Sequence, residues 1–348
     1  MTGPETPAPA AGDLFAVSSA AEEPLAEVED RRERGAVVLD RILDAGIGLS
    51  LVVLIIVFSL ISPQFLTVHN LLNILDASSI VGVVSVGMTI ALIAGQFDLS
   101  VGSIVGFCSS VLALSLASWG MPVALAIPVA VAVGIGLGLV NGALVVDMGI
   151  NSIIATLGTL AAIRGFALVL THGRPVVETD GFLTRIGVDR PLGIPVSVYV
   201  MTVLYAAGYV LLTRTRLGIH IYASGGNPLS AERAGIRING ITRLVFIFTG
   251  ACSAIAAILI TAKSFSGEAV YGQDLELDVL TAVLLGGVGL RGGVGSLVKT
   301  LIGVGIVGVI ANGLVLAQVP GFYVDVARGF ALIAAVLLEG WREKRASR

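Results

Sequence analysis

Charged side chains are scarce in this sequence. Of its 348 residues only 13% are charged and 55% are hydrophobic, whereas a soluble globular domain carries about 25% charged residues. This composition excludes an ordinary soluble protein. It predicts an all-α, polytopic bundle of transmembrane helices, because helices satisfy their own backbone hydrogen bonds in lipid.

Cysteine and histidine are also rare. The two cysteines, Cys108 and Cys252, lie in apolar segments, where we expect small core residues and no disulfide framework. The three histidines lie apart in loops, without the spacing of metal ligands. We therefore expect no metal and no cofactor. The net charge of −3 gives no reason to expect a nucleic-acid partner.

Motifs of nucleotide chemistry and catalysis are missing too. Lys299-Thr300 follows Val298, so the sequence has no glycine-rich loop for binding ATP. No Ser/His/Asp or His/Cys cluster indicates an enzyme. Apart from Asp98 and Asp325, the apolar segments contain almost no carboxylates, which an ion-driven carrier usually needs.

Ten apolar segments approach the length of about 20 residues that crosses a bilayer. The acidic stretch 1–40 predicts a disordered cytoplasmic tail and no signal peptide, and 41–348 predicts the membrane domain. With ten spans and both termini inside, most of the 21 lysines and arginines are cytoplasmic. Residues 63–76 predict an amphipathic helix on the outer surface. The spans lie near 45–62, 78–95, 99–118, 122–146, 153–171, 195–213, 242–262, 279–290, 296–318 and 322–339, and the eighth is short enough to be re-entrant.

The longest polar interval after the tail is rich in arginine and lies at 213–243. We predict a cytoplasmic loop over 214–241. Within it Asn227 can cap a helix, Pro228 suits the first helical position and Gly235 can end it. The helix at 229–234 is too short to be stable alone. It is either an ordinary surface helix or one that docks on a cytoplasmic partner.

Residues 95–103, GQFDLSVGS, interrupt a long apolar region. Gly, Asp and Ser suit a helix break whose polar groups face a cavity. Asp98 either lies inside the membrane and is functional, or caps the next helix with Ser100. Thr156 and Thr159 lie on one face of the fifth span. They either line a polar path or bond back to their own helix.

The outer segments 172–194 and 263–278 carry most of the remaining acidic residues. They could receive an extracytoplasmic protein, or they could be solvated connectors.

Four blocks occur in an order known from one family. They are GQFDLSVGS (95–103), NSIIATLGTLAAIRG (151–165), GGNPLSAERAGI (225–236) and LLGGVGLRGGVGS (284–296). Over roughly residues 45–340 the chain resembles the permease subunit of ribose/xylose/galactose-type bacterial ABC importers. It departs from the family at Gln96, where relatives more often have glycine.

The resemblance implies an inner-membrane protein that forms a sugar pathway with a second permease subunit. It implies an extracytoplasmic sugar-binding protein outside and an ATPase subunit inside, with lipid around the spans. The implied path candidates are Gln96, Asp98, Ser100, Asn151, Thr156 and Thr159. The implied ATPase-coupling helix contains Asn227, Pro228, Ser230, Glu232, Arg233 and Gly235.

Three alternatives remain open from the residues. The substrate could be a nucleoside, a branched-chain amino acid or a signalling sugar, although an amino-acid path should offer more fixed charge. The chain could be an ion-coupled secondary carrier, or a membrane scaffold without solute flux.

Overall fold

The computed structural model describes Gly3 and residues 46–177 and 180–346, with no side-chain description of residue 338 or of 341–346. Apart from Gly3, the predicted tail lies outside this part. The helices are α1 (Gly46–Ile61), α2 (Val68–Ile93), α3 (Val101–Ala117), α4 (Val123–Val146), α5 (Ser152–Thr171), α6 (Gly181–Val188), α7 (Val196–Arg214), α8 (Arg216–Gly226), α9 (Pro228–Arg233), α10 (Ile238–Ser264), α11 (Leu275–Leu285), α12 (Leu297–Leu316) and α13 (Gly321–Ala346).

Long apolar runs form the longest helices, and the breaks between them fall at Gly, Pro, Asn and Asp. Within the described residues, six helices are long and apolar enough to cross a membrane, namely α2, α4, α5, α7, α10 and α12, and α1 and α3 are shorter apolar helices. The chain is therefore a helical, multi-pass membrane protein. The segment predicted at 279–290 is the 11-residue helix α11, which begins four residues earlier.

The surface helix predicted at 63–76 is present only from Val68 onward, and there it is the first part of α2. Residues 63–67 form turns, and α2 then runs without a break from Val68 past Asp76. The helix begins at Thr67, whose Oγ1 accepts from the Asn70 amide at 3.3 Å. The polar Asp76 does not end the helix, because Lys263 pairs with its carboxylate at 3.0 Å.

A small antiparallel ladder joins two loops that the sequence did not connect. Strand β1 (Val176–Val177) follows α5, and strand β2 (Ser266–Gly267) follows α10. Gly267 lies against α3, where an added Cβ would be 2.4 Å from the Ser109 carbonyl oxygen. The ladder therefore links the end of α5 to the side of α3.

Helix α10 lies at the centre of the packing, against α2, α3 and α4. Glycines bring α4 and α10 into backbone contact. A Cβ added to Gly138 would lie 2.2 Å from the Phe246 carbonyl oxygen, and one added to Gly250 would lie 2.2 Å from that of Gly134. Such small residues allow close helix packing in lipid, where dispersion contacts hold helices together.

Two interruptions divide helices that would otherwise be long. Residues 94–100 separate α2 from α3, and residues 286–296 separate α11 from α12. The two interruptions meet, since the Gly293 amide donates to the carbonyl of Ile93 at 2.8 Å. We call them the first and second helix breaks.

Candidate functional site

The first helix break contains a fully buried carboxylate, Asp98. Its Oδ1 accepts from the Ser100 amide at 3.0 Å and from the Ser100 hydroxyl at 2.6 Å. Its Oδ2 accepts from the hydroxyl of Thr249 in α10. Asn141 of α4 donates to Ser100 Oγ at 2.8 Å. Of the two sequence interpretations, the structure supports Asp98 inside the protein.

This set, Asp98, Ser100, Asn141 and Thr249, is the Asp98 cluster. A carboxylate in a dry interior is stable only when it is hydrogen-bonded, and hydrogen bonds to charged groups contribute about 1.5–3 kcal/mol each. Four hydrogen bonds on Asp98 provide this, and their donors come from the break itself, from Asn141 of α4 and from α10. The cluster therefore fixes the first break to α4 and α10, two helices distant in sequence.

One polar atom of the Asp98 cluster can still accept a hydrogen bond. The Oδ1 atom of Asn141 is buried and accepts no hydrogen bond from the residues described. Sequence reasoning missed Asn141 and Thr249 as members of the site. The only available signal was an amide and a hydroxyl inside otherwise apolar runs, which does not reveal their partners.

The other path candidates lie on α5 and beside it. Asn151 is exposed and caps α5, accepting from the Ile153 amide at 3.0 Å. Gln96 is partly exposed. The next residue, Phe97, donates its amide to Ser152 Oγ at 3.3 Å. The first break thus also contacts the beginning of α5.

The hydroxyls of Thr156 and Thr159 bond to their own helix. Thr156 Oγ1 donates to the Ser152 carbonyl at 2.7 Å, and Thr159 Oγ1 donates to the Thr156 carbonyl at 3.2 Å. Thr156 is fully buried and Thr159 is partly exposed. The structure does not bring either hydroxyl into the Asp98 cluster.

The predicted short helix in the polar loop is present as α9. Asn227 Oδ1 accepts from the Ser230 amide at 3.0 Å, Pro228 takes the first helical position, and Gly235 follows in a left-handed conformation with φ +87°. Ala231 is buried against the protein. The other residues predicted for this helix, Asn227, Pro228, Ser230, Glu232, Arg233 and Gly235, are exposed.

A second helix in the loop, α8, was not predicted. It begins at Thr215, whose Oγ1 accepts from the Gly218 amide at 3.3 Å. Its glycines lower helix propensity by about 1 kcal/mol each relative to alanine, so the sequence indicated a loop. The tertiary contacts of α8 outweigh this low helix propensity, because Gly218 and Gly225 lie directly against backbone atoms of other segments.

Ion pairs connect helix ends away from the cluster. Asp325 and Arg328 form an ion pair at 3.2 Å, and Arg328 Nε also lies 3.2 Å from Asp278 in α11. Lys263 joins the end of α10 to Asp76. These contacts hold helices together, and none of them is part of the Asp98 cluster.

Comparison with known proteins places the chain among transport proteins. Residues 70–336 match the family described as "Branched-chain amino acid transport system / permease component". The chain is 36% identical over 299 residues to the ribose import permease protein RbsC of Haemophilus influenzae, covering 84% of this chain and 92% of that protein.

Two further relatives are similar over the same region. Identity is 39% over 293 residues with RbsC of Bacillus subtilis, covering 84% of this chain and 91% of that protein. It is 32% over 292 residues with the L-arabinose transport system permease protein AraH of Escherichia coli, covering 84% and 89%. No solved structure matches the chain. The chain therefore belongs to the family of branched-chain amino acid transport system permease components, and it is a membrane transport subunit and not an enzyme.

Proposed function

We propose that this chain is the permease subunit of an ATP-driven ABC importer that moves a monosaccharide of the ribose, xylose or galactose class. The observation that carries this proposal is the similarity to ribose and L-arabinose permeases over more than four fifths of the chain. A further relative, 34% identical over 322 residues, is named an L-arabinose ABC transporter permease protein.

The family description names amino acids, so an amino-acid substrate is the second candidate. A zwitterion needs fixed charges of both signs along its path. Asp98 is fully buried and accepts four hydrogen bonds. The path candidates with side chains at least partly exposed, Gln96, Asn151 and Thr159, carry only amide and hydroxyl groups. Together with the similarity to sugar permeases, this favours a neutral, hydroxyl-rich substrate.

The geometry of α9 supports an ATPase partner on its exposed face. Leu229 is an apolar side chain that is 59% exposed on this helix, beside Glu232 and Arg233. The two-turn helix is capped at both ends and attached to the protein through Ala231. The exposed, capped surface of α9, with Leu229 beside Glu232 and Arg233, offers an apolar group and charges of both signs to a partner protein. We assign this face to the ATPase subunit on the cytoplasmic side.

We also propose that ten helices span the membrane, α1–α5, α7 and α10–α13, with both termini cytoplasmic and with the short α11 counted among them. Eleven helical residues extend about 16 Å, roughly half of the hydrocarbon core. The preceding stretch runs along α3, since Gly267 packs on Ser109 and Gly272 packs on Gly102. Those two contacts are about 10 Å apart along the helix, so this stretch and α11 together extend across most of the bilayer.

The remaining partners follow from this orientation. The segments around β1, α6 and β2 form the outer surface, to which an extracytoplasmic binding protein would deliver the sugar. A second permease subunit, identical or homologous, completes the pathway in the bacterial cytoplasmic membrane. The path candidates with side chains at least partly exposed are Gln96, Asn151 and Thr159.

Purification from gently solubilised native membranes tests the proposal. We expect a P-loop ATPase to accompany the tagged chain and be identified by mass spectrometry. The complex is then reconstituted with the binding protein recovered in the same purification, and uptake of radiolabelled ribose, xylose, galactose and leucine is measured with and without ATP. Uptake of leucine alone would establish the amino-acid function, and uptake driven by an ion gradient without ATP would establish a secondary carrier.

A further inference from the structure

The end of α8 contacts two other parts of the chain through backbone atoms. Gly225 is buried. A Cβ atom added there would lie 1.8 Å from the carbonyl oxygen of Ile93 and 2.6 Å from the amide nitrogen of Gly293. Both distances are far inside van der Waals contact. Position 225 therefore accommodates only glycine while these three segments keep their places.

Ile93 and Gly293 are joined to each other by a hydrogen bond. Ile93 ends α2, and the last carbonyls of a helix have no partner within it. The Gly293 amide donates to the Ile93 oxygen at 2.8 Å and supplies that partner. Gly292 and Gly293 have φ of +83° and +78°, and a Cβ on Gly292 would lie 3.0 Å from Gly225 Cα. We call Ile93, Gly225, Gly292 and Gly293 the glycine junction.

A second contact lies one turn earlier in α8. Tyr222 donates its hydroxyl to the Gly295 carbonyl at 2.8 Å. Burial raises the pKa of Tyr222, so the phenol keeps the proton that it donates. Helix α8 therefore holds the second helix break at two points, one through backbone and one through a side chain.

The glycine junction lies close to both helix breaks on one side and to α9 on the other. Ile93 lies five residues before Asp98, so its position sets where the first break begins. The second break begins at Gly286, which lies against α12, since a Cβ added to Gly286 would lie 2.7 Å from Thr300 Cα. On the other side, only Asn227 separates α8 from α9. The junction thus stands between the coupling helix and both helix breaks.

Backbone contacts and side-chain contacts respond differently to displacement. A side chain can change rotamer when its neighbour moves, whereas backbone atoms already in contact must move together because the interior is close-packed. A shift of α8 must therefore displace the backbone at Ile93 and Gly293, because no side-chain rearrangement can absorb it.

We propose that the glycine junction is the contact through which displacement of α8 and α9 by the ATPase reaches both helix breaks, with Gly225 as its positioning residue. This inference rests on the proposed function, because it requires an ATPase bound at α9.

Gly225→Ala tests the inference, and Gly226→Ala is its matched control. The control makes the same substitution in the next residue of the same helix, where a Cβ would meet Gly293 Cα at an ordinary 3.7 Å. Each complex, with its ATPase and binding protein, is reconstituted in proteoliposomes, and ATP hydrolysis and uptake of radiolabelled sugar are measured in the same vesicles. We expect Gly225→Ala to keep basal hydrolysis and to lose tenfold or more of the uptake per ATP, with Gly226→Ala within twofold of wild type.

Wild-type uptake per ATP in Gly225→Ala would overturn the inference, as would an equal loss in Gly226→Ala. If Gly225→Ala fails to insert into the membrane, Tyr222→Phe is measured in its place, because it removes the hydroxyl that bonds α8 to the second helix break and keeps the ring. A threefold or greater fall in uptake per ATP supports the junction, and an unchanged ratio contradicts it. A wild-type complex that contains no ATPase, or transports without ATP, contradicts the proposed function itself and is recognised before any variant is made.

Discussion

At the scale of single residues, Asp98 has no exposed surface. The other buried carboxylates of the described residues keep 5–9% of theirs, and they are Glu276, Asp278 and Glu339. Asp98 accepts two hydrogen bonds from its own segment, one from α4 and one from α10. Asp147, by contrast, pairs with Arg243 with both side chains about half exposed. The polar contacts of an aspartate therefore contribute very different free energies to folding at positions 98 and 147.

Replacing Asp98 with asparagine should reduce both stability and transport. An amide oxygen accepts more weakly than a carboxylate, so hydrogen bonds worth about 1.5–3 kcal/mol to a charged group fall to about 0.5–1.5 kcal/mol, and the amide nitrogen cannot accept from Thr249. We expect a lower thermal midpoint in detergent and uptake reduced tenfold or more. Asp147→Asn makes the same chemical change in an exposed pair worth about 0–1 kcal/mol and should change neither measurement appreciably. Equal effects of the two variants would refute the structural role assigned to the Asp98 cluster.

At the scale of helices, close approach depends on glycines at particular positions of a face. In α4, Gly138 contacts α10, whereas a Cβ on Gly136 of the same helix would meet no atom of the described residues within 4 Å. Helix α9 depends instead on its two ends, since six residues form too few hydrogen bonds to be stable alone. Helix α4 is stabilised by packing against α10, and helix α9 is stabilised by its caps.

Gly138→Ala should impair folding, because its Cβ would lie 2.2 Å from the Phe246 carbonyl oxygen and would force α4 away from α10. We expect membrane levels to fall severalfold, with a lower thermal midpoint for the protein that inserts. Gly136→Ala should leave both unchanged or raise stability by less than about 1 kcal/mol through helix propensity. The comparison is made by quantitative immunoblot of membranes and by thermal unfolding in detergent.

Gly235→Pro should uncouple transport from ATP use. Proline cannot adopt the φ of +87° found at this position, because its ring holds φ near −65°, so the end of α9 must rearrange. Insertion should continue, since Gly235 is exposed and a Cβ there meets no described atom within 4 Å. Reversal of charge in Glu232→Arg should have the same effect by disturbing the exposed face. Normal uptake per ATP in both variants, at normal membrane levels, would reject α9 as the coupling helix.

At the scale of the whole molecule, the proposed topology places the α7–α10 connection inside and the α5–α7 connection outside. Leu192 in the outer connection is 95% exposed, and Glu232 in the inner one is exposed as well. The two native cysteines are buried, so they provide little background in a labelling experiment. The arrangement can therefore be tested with one introduced cysteine at a time.

A membrane-impermeant maleimide should label Leu192→Cys in intact spheroplasts and Glu232→Cys only in inverted vesicles. The expected difference is at least fivefold in each preparation, and wild type should remain nearly unlabelled. Labelling of both variants from the same side would show that the number of spans between them is even and would overturn the topology.

Much of the fold was predictable because it depends on neighbouring residues. Apolar runs of sufficient length indicate membrane helices whatever they pack against. The cap of α9 is formed by Asn227, Pro228 and Gly235 within nine residues of one another, and the structure confirms it. The family was likewise readable from four local blocks.

Tertiary structure decided the contacts between distant residues. Asp98 meets Asn141 and Thr249, which lie 43 and 151 residues away, and no local pattern in the sequence selects those partners. Helix α8 forms despite its glycines, and Gly225 must be glycine because Ile93 and Gly293 lie against it. By itself the sequence determined a helical membrane permease with a short capped helix in its polar loop, since propensity, hydropathy and capping act within a few residues. Which buried groups pair, and which backbones touch, follow from how the helices pack.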